Sequence, residues 1–204
     1  MTETDFDLNK PGPQREALEA IPEADYVLEL KIRPGGAGSS NDQGWLKRSA
    51  NGESEAIDCE CTVVGGDYNG RKVWQLFTLR GTTPGHAQAG EISMKFFRAL
   101  LESAKGIRAD DTSEAAEKMR KISGWGELNG LRFMARVGVR PAEGKYQAKN
   151  TVASVITPEQ SGWRQPEQRP PSAAATAAPA AAARAPQAAP TNAIARPAWM
   201  NKSA

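Results

Sequence analysis

Residues 65-GGDYNGRKVWQLFTLRG-81 decide how the chain is to be folded. The first six carry what a tight hairpin turn requires, because an Asn-Gly pair accepts positive φ cheaply. From residue 71 to 80 the chain reads as a strand. If Val73, Phe77 and Leu79 face a core, Lys72, Trp74 and Arg80 take the outward parity. Leu76 shares that parity, so the outer face is not uniformly polar, and one bulge in the strand would reverse the assignment.

Working outward, 25-DYVLELKIR-33 alternates with Tyr26, Leu28, Leu30 and Ile32 on one face and Glu29, Lys31 and Arg33 on the other, a half-buried strand. A glycine- and serine-rich loop follows over 34–44. Residues 55-EAIDCECTVV-64 alternate again, with Ile57, Cys59, Cys61 and Val63 inward. Beyond residue 81 the period changes. Ile92, Phe96, Leu100 and Ala104 recur at helical spacing within 85–106, and Gly106 ends the run. A shorter helix over 113–122 has Ser113 available as its cap. Period two returns at 131-LRFMARVGVR-140 and 151-TVASVIT-157. The order predicts a mainly β fold: a five-stranded oligonucleotide-binding (OB)-like barrel with a helix between the third and fourth strands. A sandwich fragment or an α+β sheet with its helices on one face shares this periodicity.

Of the 204 residues, 39% are hydrophobic and 6% aromatic, so part of the chain is expected to lie outside any core. We divide it into a flexible leader (1–22), one domain (23–158) and a Pro/Ala-rich tail (159–204). The repeated prolines of that tail interrupt every alanine run that would otherwise favour helix. The net charge of +2 is carried by the C-terminal end: residues 165–204 hold four basic residues against Glu167, leaving the rest near −1. Any basic surface must therefore come from arrangement. The acidic N-terminus lacks the apolar segment of a signal peptide, and no apolar run reaches ~18 residues, so a soluble, cytoplasmic protein is expected. Cys59 and Cys61 would face the core together in a strand, a poor geometry for a disulfide. With His86 as the single histidine there is no ligand set for zinc, and no metal or cofactor is expected.

Catalysis finds no support. His86 lies at a helix start beside Pro84 and Gly85, no phosphate-binding loop motif is present, and the acids around Asp110 and Glu114 suit solvated helix starts. The basic residues are better placed. Arg132, Arg136 and Arg140 alternate on the fourth strand, interrupted by Met134 and Gly138. Lys145, Tyr146 and Lys149 follow, Lys31 and Arg33 lie outward on the first strand, and Trp45, Lys47 and Arg48 come after it. With Lys72, Trp74 and Arg80 they make the mixture that single-stranded nucleic acid requires: cations for phosphates and rings on which bases stack. The competing reading is an ordinary charged strand surface on an adaptor or inhibitor that meets acidic protein. Asp58 and Glu60, outward on the second strand, count against a uniformly positive face.

The motifs 21-IPEADYVLELKI-32, 65-GGDYNGRKVWQLFTL-79, 127-ELNGLRFMARVGVR-140 and 146-YQAKNTV-152, with the Ala- and Leu-rich helix between them, resemble a phage- and prophage-encoded family of small single-stranded-DNA-binding proteins. The resemblance runs from about Ile21 to Thr157. It implies an OB-like barrel acting in replication or recombination beside a recombinase, helicase or nuclease. In bacterial single-strand binders an acidic tail with a terminal aromatic recruits such enzymes. This tail is basic and ends 198-AWMNKSA-204, where Trp199 and Met200 would be the equivalent hook.

Overall fold

Alternation over residues 24–33 produces the strand that organises the sheet. In the computed structural model, which describes residues 19–144 and 146–168, Ala24–Arg33 (β1) buries Leu28, Leu30 and Ile32 and turns Glu29, Lys31 and Arg33 to the other face. Its first half pairs antiparallel with Arg132–Arg140 (β6), from Ala24 opposite Val137 to Glu29 opposite Arg132. Its second half pairs with Ser54–Val63 (β4), from Leu28 opposite Val63 to Arg33 opposite Asp58. Lys72–Gly81 (β5) adds to the far edge of β4, and Lys149–Ile156 (β7) to the far edge of β6.

Two further strands arise where the sequence predicts only a loop. Gly36–Ala37 (β2) and Leu46–Arg48 (β3) form a hairpin, and β3 pairs with β4 at Lys47 and Ala56. Strands of two and three residues carry no alternation to be read. The result is an open antiparallel sheet of seven strands, with β5-β4-β1-β6-β7 as its principal order. β7 returns toward β5, where the Val152 N–H donates to Gln75 Oε1 at 3.0 Å. Among the described residues no backbone ladder joins those two strands.

The β2–β3 hairpin also corrects one expected site residue. Trp45, assigned to a nucleic-acid surface, is only 6% exposed and belongs to the core. Gly126 lies against its indole so closely that a Cβ there would sit 3.0 Å from Nε1.

The β4–β5 turn uses its glycines more than its asparagine. Gly65, Gly66 and Gly70 take positive φ, whereas Asn69 does not. Asn69 contributes instead through its side chain, whose Oδ1 accepts the Gly65 N–H at 2.8 Å.

Pro84–Lys105 (α1) starts with Thr83 as cap, in a reciprocal arrangement with His86, and stops at Gly106 in the left-handed conformation. Its buried stripe is Gly90, Ser93, Phe97, Leu100, Leu101 and Ala104. Phe77 of β5 stacks on Phe96 and meets Phe97, with centroids 4.3 and 5.0 Å apart. Ile92, expected on the buried face, is 60% exposed, because the first half of α1 meets β5 through Gly90 and Ser93. A Cβ on Gly90 would lie 2.4 Å from the Leu79 carbonyl oxygen. Glu114–Arg120 (α2) is capped by Ser113 and buries Ala116. No helix among the described residues is long and apolar enough to cross a membrane.

Glu102, a buried acid on α1, ties the helices together. It accepts from Arg98 Nε at 2.9 Å and Arg120 Nε at 2.8 Å. Those guanidiniums also donate to the carbonyls of Ala109, Asp111 and Arg108, so one carboxylate orders the whole connection between α1 and α2.

The described chain reaches beyond both expected limits of the domain. Ile21 is buried, and Asn150 of β7 holds it by two hydrogen bonds of 2.9 Å to its N–H and carbonyl. Residues 159–168, assigned to the tail, lie against α1 and β6. Trp163 Nε1 donates to the Ser103 carbonyl, and Gln168 Nε2 donates to the carbonyls of Ala104 and Arg132. The rest of the leader and tail, including Trp199 and Met200, falls outside the described residues.

Glu102→Ala should lower the unfolding free energy by about 3 kcal/mol, the low end for breaking a buried ion pair, since the Arg98 side chain is already 57% exposed. Urea denaturation followed by circular dichroism measures it.

Candidate nucleic-acid interface

Strand pairing, not composition, decides which cations remain available on the sheet. β1 lies beside β6, and its register sets Asp25 opposite Arg136 and Glu29 opposite Arg132. Each becomes an ion pair of 2.8 Å. Asp58 sits between Arg33 at 3.6 Å and Lys47 at 3.4 Å. Four of the expected nucleic-acid-binding cations are therefore already engaged by acids that the sheet places next to them. Pairs with at least one partner near solvent add little stability, but they cancel the charge that the arginine strand would otherwise present.

Arg80 is turned to the other face. The β4–β5 register passes from Ala56–Thr78 to Glu55–Arg80, so Leu79 is the extra residue of a bulge. Beyond it Arg80 shares the face of Glu55, opposite that of Trp74. Glu55 accepts from Arg80 Nε at 2.7 Å and from Arg48 Nη2 at 2.7 Å. Hydrogen bonds from Arg48 and then Arg80 hold its carboxyl below the ordinary value, against the opposing effect of burial. Lys72 and Trp74, which precede the bulge, keep the outward parity that the sequence predicts. Leu76 is outward as well.

Three cations converge where β5 and β7 begin. Arg71, Lys72, Trp74 and Lys149, with Glu19 and Asn150, line a cleft of about 490 Å³ that has the buried Val73 in its wall. Trp74 is 55% exposed. Its Nε1 donates to Glu60 Oε2 at 3.2 Å, while Lys72 Nζ lies 2.8 Å from Glu60 Oε1. Arg71 donates to the main-chain oxygen of Glu19, and no ion pair to it occurs among the described residues. Lys149 faces Arg140 across the β6–β7 pair, two like charges directly opposite. Neither has an ion-pair partner among the described residues. Lys31 is opposite Glu60 in the β1–β4 register. Tyr146, 70% exposed, sits in the β6–β7 turn, joined to Glu143 by two backbone hydrogen bonds of 3.0 Å. Lys145 is outside the described residues.

The structure thus gathers Lys72, Trp74 and Lys149 from the expected set, with Lys72 itself paired to Glu60, and leaves Arg33, Lys47, Arg80, Arg132 and Arg136 in ion pairs away from the cleft. Arg71, Glu60, Gln75 and Asn150 were not anticipated. For Arg71 the signal was its place beside Lys72. For Glu60 the alternation shows an outward acid but not the lysine it meets, and for Gln75 and Asn150 nothing short of the strand arrangement shows their place. Cys59 and Cys61 face the core, where burial pushes the Cys61 thiol up to about 12 and the Cys59 thiol well above its ordinary value. No protein-family model and no curated protein sequence matches the chain.

Both Glu55 and Glu60 have carboxyls held below the ordinary 4.5, Glu60 chiefly by the Lys72 hydrogen bond. A depressed folded value means that their stabilisation is complete above that ordinary value and is lost as pH falls through the folded one. Melting temperature against pH should accordingly drop below about pH 4.5, and Glu55→Gln should flatten that acid limb.

Proposed function

We propose that the protein binds single-stranded nucleic acid, DNA foremost, without reading its base sequence and without catalysing a reaction. The observation that carries this reading is the half-exposed Trp74 at a cleft where Arg71, Lys72 and Lys149 converge. A ring for base stacking beside cations for phosphates is the physical requirement of such binding. The strand order, with α1 between β5 and β6 and the return of β7 toward β5, supports an OB-like barrel as the finer description. On this reading the protein protects single strands during phage or prophage replication or recombination in the bacterial cytoplasm. The C-terminal segment with Trp199 and Met200 recruits a recombinase, helicase or nuclease.

One observation favours a second reading, a protein–protein adaptor. Leu76 is as exposed as Trp74, 55% each, and the two alternate on one face of β5. An apolar partner side chain would cover them. The arginine strand no longer favours this alternative, since Arg132 and Arg136 are engaged by acids of their own sheet.

Tryptophan fluorescence titrated with oligo(dT) at about 50 and about 200 mM salt separates the two. Quenching that weakens with salt is expected, and its absence at the lower salt would remove the nucleic-acid reading. Trp74→Ala should weaken binding about 5- to 150-fold, the equivalent of ~1–3 kcal/mol for one stacked base. Lys149→Gln should weaken it less and shrink the slope of log K against log salt by about 0.7. Arg136→Ala should matter less than Lys149→Gln, because Arg136 is held by Asp25.

A further inference from the structure

Besides Glu19, whose main-chain oxygen holds Arg71, strand pairing sets a second acid beside the cleft, and this one forms an ion pair with Lys72. Glu60 lies on β4 opposite Trp74 of β5 and opposite Lys31 of β1. Its two carboxylate oxygens are divided between functions. Oε1 holds Lys72 Nζ at 2.8 Å, and Oε2 accepts the Trp74 indole N–H at 3.2 Å. The Glu60 side chain is 15% exposed against 47% for Lys72, so the acid is the more enclosed partner and the lysine the one within reach of a ligand. Asp25, Glu29 and Asp58 occupy comparable outward positions, but each is paired to a cation outside the cleft.

We propose that Glu60 is a built-in competitor for the nucleic-acid backbone: it occupies Lys72 in the unliganded protein and must surrender it to a phosphate before the strand can seat on Trp74. The proposal rests on the nucleic-acid reading of the cleft and deepens it. A phosphate drawn to Lys72 meets the Glu60 charge a few ångströms away, a repulsion of about 1 kcal/mol in a water-like medium, or roughly fivefold in affinity. An isolated anion gains too little at Lys72 to overcome it. A strand that contacts Arg71 and Lys149 at the same time does overcome it, so Glu60 biases the cleft toward contiguous polyanions and against single nucleotides. The indole bond is separate from this competition. It pins one edge of Trp74 and leaves the ring to stack, and an uncharged acceptor at position 60 would serve as well.

That separation makes the role testable. In the full-length protein, Glu60→Gln keeps an acceptor for the indole and removes the charge. It should tighten oligo(dT) binding about fivefold near 50 mM salt and steepen the salt slope, by up to about 0.7 in log K against log salt. Glu60→Ala also removes the charge but frees the ring, so it should tighten binding by less than Glu60→Gln. Thymidine monophosphate should compete better against either variant than against the wild type. Repeating Glu60→Gln on Lys72→Gln should reduce the gain to less than half, since the contested cation is gone. Circular dichroism establishes which variants fold, and a folded Glu60→Gln or Glu60→Ala that binds no more tightly than wild type, at an unchanged salt slope, would overturn the proposal. That outcome with a wild type that binds leaves the nucleic-acid reading standing. A wild type that fails to bind oligo(dT) at low salt removes both.

Discussion

The sheet depends on β1 being paired along both edges at once. Residues 24–29 pair with β6 and residues 28–33 with β4, so the two halves of the sheet share this one strand. Past Glu29 the β6-side edge is continued by the turn at 129–131: the Leu30 N–H donates to the Leu131 carbonyl, the Gly130 N–H to the Leu30 carbonyl, and the Ile32 N–H to Asn129 Oδ1 at 2.6 Å. A slip by one residue would turn Leu28, Leu30 and Ile32 into solvent, each fully or almost fully buried here. It would also part Asp25 from Arg136, Glu29 from Arg132 and Arg33 from Asp58. Burial sets the register, and the charge pairs follow from it.

The same register explains where the cleft forms. Carried outward through β4, it places Trp74 opposite Glu60 and Lys72 opposite Thr62. It then breaks at Leu79, the bulged residue on which α1 rests, since Gly90 approaches the Leu79 carbonyl more closely than any side chain would allow. The bulge lies after Trp74 and before Arg80, which is why one keeps its outward face and the other does not. Helix docking and side-chain parity on β5 are therefore a single feature: the close approach at Gly90 and the reversal at Arg80 occur over the same two residues.

What was legible in the sequence were the periods. The alternation at 25–33, 55–64, 71–80 and 131–140 identifies strands and their inward sets, and Ser113, Gly106 and the 65–70 glycines mark caps and turns where they occur. Trp74 was assigned its outward face from parity alone. Missing was everything that depends on which strand lies beside which. Arg132 and Arg136 look like an open basic stripe until Asp25 and Glu29, more than a hundred residues away in the chain, are set opposite them. Trp45 read as exposed because it follows a polar loop, although the β2–β3 hairpin folds it inward. Ile92 obeyed the helical period, yet the period cannot show that the first half of α1 meets β5 through small residues.

These two classes of information, period and neighbour, also account for the electrostatics. In a ladder, each outward cation has a cross-strand position that an acid can fill, and Asp58 on β4 and Asp25 and Glu29 on β1 fill three of them, opposite Arg33, Arg136 and Arg132. Among the described residues, β5 and β7 are joined by the Val152 N–H donating to Gln75 Oε1 rather than by a ladder. At that joint no ladder sets a carboxylate opposite Arg71 or Lys149. Lys149 has instead Arg140 across the β6–β7 pair. Among the described residues, Arg140 and Lys149 have no ion-pair partner and Arg71 donates to a main-chain oxygen, so cations gather at the seam between β5 and β7. Focusing within a cleft that has the low-dielectric Val73 in its wall raises the potential there further. The topology that leaves β5 and β7 without a shared ladder thus fixes where these cations gather, and Trp74 stands at the edge of that seam rather than in the middle of the sheet, where acids face the arginines.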